Sequence, residues 1–132
     1  MKITTTSAPH PYANTTRKTK LRTKNEVFAE NEAILKRLTL DGVEMSNKKD
    51  FDFRVALPSR EDCVRVREKF QANFATLNKG AMFVYIKEPD GMQLSFSIKM
   101  LPQAEIITEI ETELALAAHD FEGVEVTWEF QE

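Results

Sequence analysis

An α+β sandwich, with helices on one flank of an antiparallel sheet, is the fold class this sequence predicts, and three features predict it. From Lys79 to Met100, apolar residues recur at every second position on either side of Glu88-Pro89-Asp90-Gly91, the period of two strands paired across a turn. Phe51, Phe53, Val55 and Leu57 alternate with Asp52, Arg54 and Ala56 as a half-buried strand. Ile107, Ile110, Leu114, Ala117 and Phe121 recur at three- and four-residue steps, the stripe of a helix with one buried side.

The remaining elements fall between these. Residues 1–22 carry Thr and Pro without periodicity and read as a disordered, basic N-terminal tail. Thr23 and Glu26 form a capping-box pair that opens a helix over residues 23–39, with Val27, Phe28, Ile34, Leu35 and Leu38 on one side and Asn31 interrupting them. Asp41-Gly42 stops that helix, and Pro58 ends the Phe51–Leu57 strand. Ser59 caps the next helix with Asp62 in its first turn, and Cys63, Val66, Phe70 and Phe74 mark its buried stripe. Pro102 suits the first turn of the last helix, where its missing N–H costs nothing, and Gly123 ends it. Val124, Val126, Trp128 and Phe130 alternate with polar residues as the final strand.

The resulting order, β-α-β-β-α-β, is the split βαβ or ferredoxin-like arrangement, with an additional N-terminal helix on the helical face. Residues 23–132 make its single domain. Right-handed crossovers put both core helices on one face of a four-stranded sheet, whose usual strand order is 4-1-3-2. With Pro89-Asp90-Gly91 as a hairpin loop, Ile86 faces Leu94, Val84 faces Phe96 and Met82 faces Ile98. A two-residue loop, which slips the register by one, is set aside. Met82, Val84 and Ile86 then point to the helices. The opposite face presents Asp52, Arg54, Phe83, Tyr85, Ser95, Ser97 and Lys99, small residues at the centre and long ones around them. Outward aromatics on such a face suggest a contact surface, so these seven are the candidate partner-binding residues.

Composition narrows the function classes. The 42% hydrophobic and 30% charged balance is that of an ordinary soluble domain large enough to bury a core. Cys63 is the single cysteine, so no internal disulfide forms, which suits a cytoplasmic location. No apolar run approaches the roughly 20 residues of a membrane span, and Thr4-Thr5-Thr6-Ser7 interrupts any secretory signal after Ile3. The net charge of −3 conceals an asymmetry: residues 1–24 hold six basic and no acidic side chains, which leaves the rest at −9. A basic tail on an acidic body can touch nucleic acid, membrane or another protein.

Catalytic and metal constellations are poor. His10 lies in the tail, His119 near a helix end, and Cys63 on an apolar stripe where a thiol is inert. No zinc-type spacing, phosphate loop or nucleophile elbow occurs, so neither an enzyme, a cofactor nor a metal is expected. Glu105, Glu109 and Glu113 form an acidic ridge that reads as a solvated helix face. Lys79, Gly80, Phe83 and Val84 match part of the RNP1 pattern, in which outward aromatics stack on unpaired bases. A single-stranded RNA-binding module using those aromatics and the basic tail is therefore the alternative reading.

The last third carries a family resemblance. Ser97-Ile98-Lys99-Met100-Leu101-Pro102, Ile106-Ile107 with Glu111 and Leu114, Ala117-Ala118-His119-Asp120-Phe121 and Trp128-Glu129-Phe130 resemble the bacterial regulators of ribonuclease E activity, type B. Leu38–Gly42 and Asp50–Ser59 are similar to that family's helix exit and first strand, so the likeness runs from about Lys24 to Phe130. It implies a small, non-catalytic cytoplasmic protein of this fold; separately, a monomer is expected. Its implied partner is ribonuclease E, whose cleavage of messenger RNA it alters.

Overall fold

The computed structural model describes the backbone of residues 2–6 and the whole of residues 21–74, 81–123 and 125–131. Its elements are β1 (Lys2–Thr6), α1 (Lys24–Leu40), β2 (Lys49–Leu57), α2 (Arg60–Asn73), β3 (Met82–Glu88), β4 (Gly91–Met100), α3 (Ala104–His119) and β5 (Thr127–Gln131). The sheet order is β1-β5-β2-β4-β3, with all neighbours antiparallel. Without β1 this is the expected ferredoxin-like 4-1-3-2. The structureless reading of residues 1–22 is corrected at Lys2–Thr6, where the backbone extends the sheet by pairing with β5. The rest of that tail, residues 7–20, lies outside the described residues, as do Lys79, Gly80 and Val124.

Capping signals locate the helix starts. Glu26 N–H donates to Thr23 Oγ1 at 3.2 Å while Thr23 N–H donates to Glu26 Oε1 at 2.9 Å, which satisfies two donors left free at the start of α1. Ser59 Oγ accepts from Asp62 N–H at 3.2 Å at the start of α2. Pro102 sits just ahead of α3, whose N-cap is Gln103. After α3, Gly123 N–H returns to Ala118 O at 2.9 Å. A Cβ on Gly123 would lie 2.5 Å from Ala118 Cβ, so this chain reversal requires glycine.

The core lies between the helices and one face of the sheet. Phe51, Phe53, Val55, Leu94, Phe96, Trp128 and Phe130 meet Cys63, Val66 and Phe70 of α2 and Ile107, Ile110 and Leu114 of α3. Phe51 is the aromatic hub, with ring centroids 5.1 Å from Phe130, 5.7 Å from Trp128 and 6.0 Å from Phe53. Burying each such ring contributes about 1.5–3 kcal/mol, which explains why this layer fixes the fold. α1 packs beside α3 in the helical layer, as the sequence predicts, and does not cross the other sheet face.

The hairpin differs from expectation. Glu88 pairs with Gly91, leaving the two-residue loop Pro89-Asp90, and the register runs Tyr85↔Leu94, Phe83↔Phe96 and Lys87↔Met92. Phe83 and Tyr85 therefore point to the helices, and Met82, Val84 and Ile86 to the other face. Phe83 lies 4.9 Å from Phe96 and 6.2 Å from Phe70, centroid to centroid. α2 also lays Arg67 over the Phe83 ring at 4.8 Å and Arg60 over the Tyr85 ring at 4.9 Å. An aromatic ring buries about 150–250 Å², more than a Val or Met offers, so covering two rings decides the phase. Gly91 makes the turn possible: its φ is +151°, and a Cβ there would stand 2.6 Å from Leu57 O.

Candidate functional site

The face opposite the helices is built by alternation on β2, β3, β4 and β5. Each side chain directed away from Phe51, Phe53, Phe96 or Trp128 must appear there. Five of the seven candidate residues do: Asp52 pairs with Ser97, Arg54 with Ser95, and Asp50 with Lys99. Phe83 and Tyr85 do not, for the reason just given. Met82, 62% exposed, and Val84, 40% exposed, take their place beside the serines. Sequence alternation missed both because Ala81 through Ile86 is apolar at every position and carries no phase of its own.

An ionic cluster occupies the middle of this face. Arg54 Nη2 lies 3.2 Å from Glu129 Oε1 and 3.6 Å from Asp52 Oδ2, and Ser97 Oγ donates to Asp52 Oδ1. Glu129 of β5 is 4% exposed and anchors the guanidinium. Arg54 Nε is buried without a hydrogen-bond partner among the described residues. Lys99 Nζ and Asp50 Oδ1 are 3.9 Å apart at the margin, both well exposed. The face thus offers a charged centre, flanked by an apolar strip on β3 and an exposed ion pair on β2 and β4.

A second polar cluster, buried, seals α1 to α3 and β5. Asn31 Nδ2 donates to Glu111 Oε1 at 3.0 Å and to Thr108 Oγ1 at 3.1 Å, and Asn31 Oδ1 accepts from Trp128 Nε1 at 3.1 Å. Burial pushes the Glu111 carboxyl up to about 8, against the pull of the Asn31 bond and of Arg22. Arg22 is a weak counterion here because it is 3.5 Å from Glu111 and already holds Glu30 at 3.1 Å. Polar residues on otherwise apolar helix stripes were the available sign of this network.

Elsewhere, burial raises the Cys63 thiol to about 11, so it stays protonated and poorly nucleophilic. Among the described residues, no group of three or more His, Cys, Asp or Glu is placed to hold a metal ion. No described helix is long and apolar enough to cross a membrane. On the acidic ridge, Glu109 pairs with Lys24 and Glu113 accepts from Asn73 Nδ2 at 3.3 Å. A groove of about 360 Å³ between the starts of α1 and α3 has Phe28 and Ile106 in its wall and Glu105 and Glu109 at its rim.

The family model described as Regulator of ribonuclease activity B matches residues 28–129, from α1 through most of β5. The chain belongs to that family. No curated protein matches it. Regulator of ribonuclease activity B is thus the family whose fold these elements build, and regulation of a ribonuclease is the activity its description carries. The matched span contains the Arg54 cluster, Asn31 with its bonded partners and the whole β3–β4 hairpin, and it leaves out Arg22 and the basic tail.

Proposed function

We propose that this chain binds ribonuclease E and modulates its endonucleolytic action on RNA as a non-catalytic cytoplasmic regulator, docking through the face opposite its helices and through its acidic body. The observation that carries this reading is the pairing of exposed Met82 and Val84 with the fixed Arg54–Asp52–Glu129 cluster on one face. Apolar anchors next to oriented charges are what a protein partner can bury and align on. Ser95, Ser97 and Lys99 complete the surface. Phe83 and Tyr85 support it from beneath, as part of the α2 packing. Membership of a family that regulates ribonuclease activity supplies the class of partner. The alternative of single-stranded RNA binding loses support, because the two rings meant to stack on bases are turned to the helices.

Purified chain and ribonuclease E, assayed together at low salt for co-precipitation and for cleavage of a labelled RNA, test the reading. Met82→Asp with Lys99→Glu is expected to weaken association at least about tenfold, roughly 1.4 kcal/mol, with regulation lost in parallel. If the wild-type chain neither associates with the nuclease nor changes its cleavage, the reading fails. If it does both and the double variant matches it, the partner stands and the docking face is wrong.

A further inference from the structure

The β3 margin of the sheet has the properties of a strand-capture site. Among the described residues β3 pairs only with β4, so one edge of its backbone is unpaired. Native edges are usually blunted by proline, a bulge or a charge. From Met82 to Ile86 this edge has none of them: the ladder to β4 runs one-to-one through Glu88, and Pro89 falls beyond the strand. The two sides of the edge differ in chemistry. On the face away from the helices stand Met82 and Val84, both exposed, with Ile86 half-buried. On the helical side stand the guanidiniums of Arg60 and Arg67, held over Tyr85 and Phe83. Arg67 also donates to Tyr85 Oη and to Gln71 Oε1, each at 3.3 Å. Arg22, Arg54 and Arg65 each face a carboxylate, whereas Arg60 and Arg67 face none among the described residues.

From this we infer that the β3 edge captures an extended segment of another protein in which apolar and acidic residues alternate. Such a segment adds as a further strand. Its apolar side chains continue the Met82–Val84–Ile86 strip, and its carboxylates, on the opposite side of the pleat, meet Arg60 and Arg67. Main-chain hydrogen bonds provide the attachment, and the alternation provides the selectivity. The two arginines disfavour a basic strand by like-charge repulsion. This inference does not depend on which nuclease, if any, the chain regulates.

The probe is a labelled peptide alternating valine and glutamate, titrated by fluorescence anisotropy into the full chain at low salt. Saturable binding is expected. Methylating the backbone nitrogens on one edge of the peptide, or permuting it so that its glutamates are contiguous, should weaken binding at least about tenfold. Arg60→Glu, at an exposed position, should weaken it similarly, and added salt should loosen the native pair. Absence of binding by the wild-type chain overturns the inference, as does equal affinity for the N-methylated peptide. Sedimentation showing that the chain forms a dimer that the peptide cannot dissociate would assign the edge to a second copy instead.

Discussion

Two clusters of similar composition lie on opposite sides of the sheet, and they behave as different materials. Each joins an arginine to two carboxylates: Arg22 to Glu30 and Glu111 in the helical layer, Arg54 to Asp52 and Glu129 on the other face. The first surrounds Asn31, which is fully buried and makes all of its side-chain bonds to α3 and β5. The second keeps one arginine donor unmatched and leaves Lys99 exposed, with Ser97 half-buried against Asp52. The ion pairs themselves are about equally buried, with Glu111 and Glu129 as the covered carboxylates; what differs is Asn31, whose amide lies in the low-dielectric interior, where an unpaired polar group costs far more than at the surface. The helical-layer cluster specifies where α1 docks. The open-face cluster is the one the proposed docking would use.

That contrast is sharpest at Asn31. Asn31→Leu fills similar volume but removes the Asn31 bonds to Trp128 Nε1, Thr108 Oγ1 and Glu111 Oε1, leaving Glu111 its 3.5 Å contact with Arg22; a buried group costs about 1–3 kcal/mol when unpaired. A loss on the order of 3 kcal/mol in urea unfolding is expected. A loss below about 1 kcal/mol would mean that the seam is no more structural than the open face. Next comes Glu111 itself. Its folded pKa of about 8 lies above the ordinary 4.5, so its contribution to stability is complete below about 4.5 and declines as pH rises through about 8. Arg22 and Glu30 face it from the α1 side and Glu125 from the approach to β5, and the two acids push its pKa further up. Unfolding midpoints should therefore fall between pH 6 and pH 9. Glu111→Gln keeps an acceptor for Asn31 and cannot ionise, so its midpoints should lose most of that slope. An equal slope in both proteins would assign the pH dependence to other groups.

The two sides of the sheet also differ in how far the sequence reveals them. β2, α2 and α3 were legible because their apolar positions are separated by polar ones, which fixes the phase: Phe51, Phe53 and Val55 could only face one way. β3 has no such punctuation. Its phase is set at a distance, by the Gly91 turn against Leu57 O and by the arrival of α2, with Phe70 and Arg67, over Phe83. Neither is visible within the strand. Asn31 was visible only as an interruption, since its partners lie 77 to 97 residues away. Phe83→Ala against Val84→Ala tests the corrected phase. The first should cost about 2 kcal/mol or more and the second less than about 1 kcal/mol; the reverse order would restore the three-residue loop.

Arg54→Lys gives the smallest expected effect and probes the open face most closely. A lysine keeps the positive charge between Glu129 and Asp52, which Arg54 Nη2 reaches at 3.2 and 3.6 Å, and it removes the Nε–H that is buried with no acceptor among the described residues. Losing an unsatisfied donor offsets the poorer geometry of an ammonium against two carboxylates, so stability should change by no more than about 0.5 kcal/mol. Nuclease association should weaken all the same, because a planar guanidinium fixed on two sides presents its remaining donors in one direction and a lysine does not. A drop in stability as large as that of Asn31→Leu, with association unchanged, would place Arg54 among the structural residues and leave Met82 and Val84 as the anchors of the face.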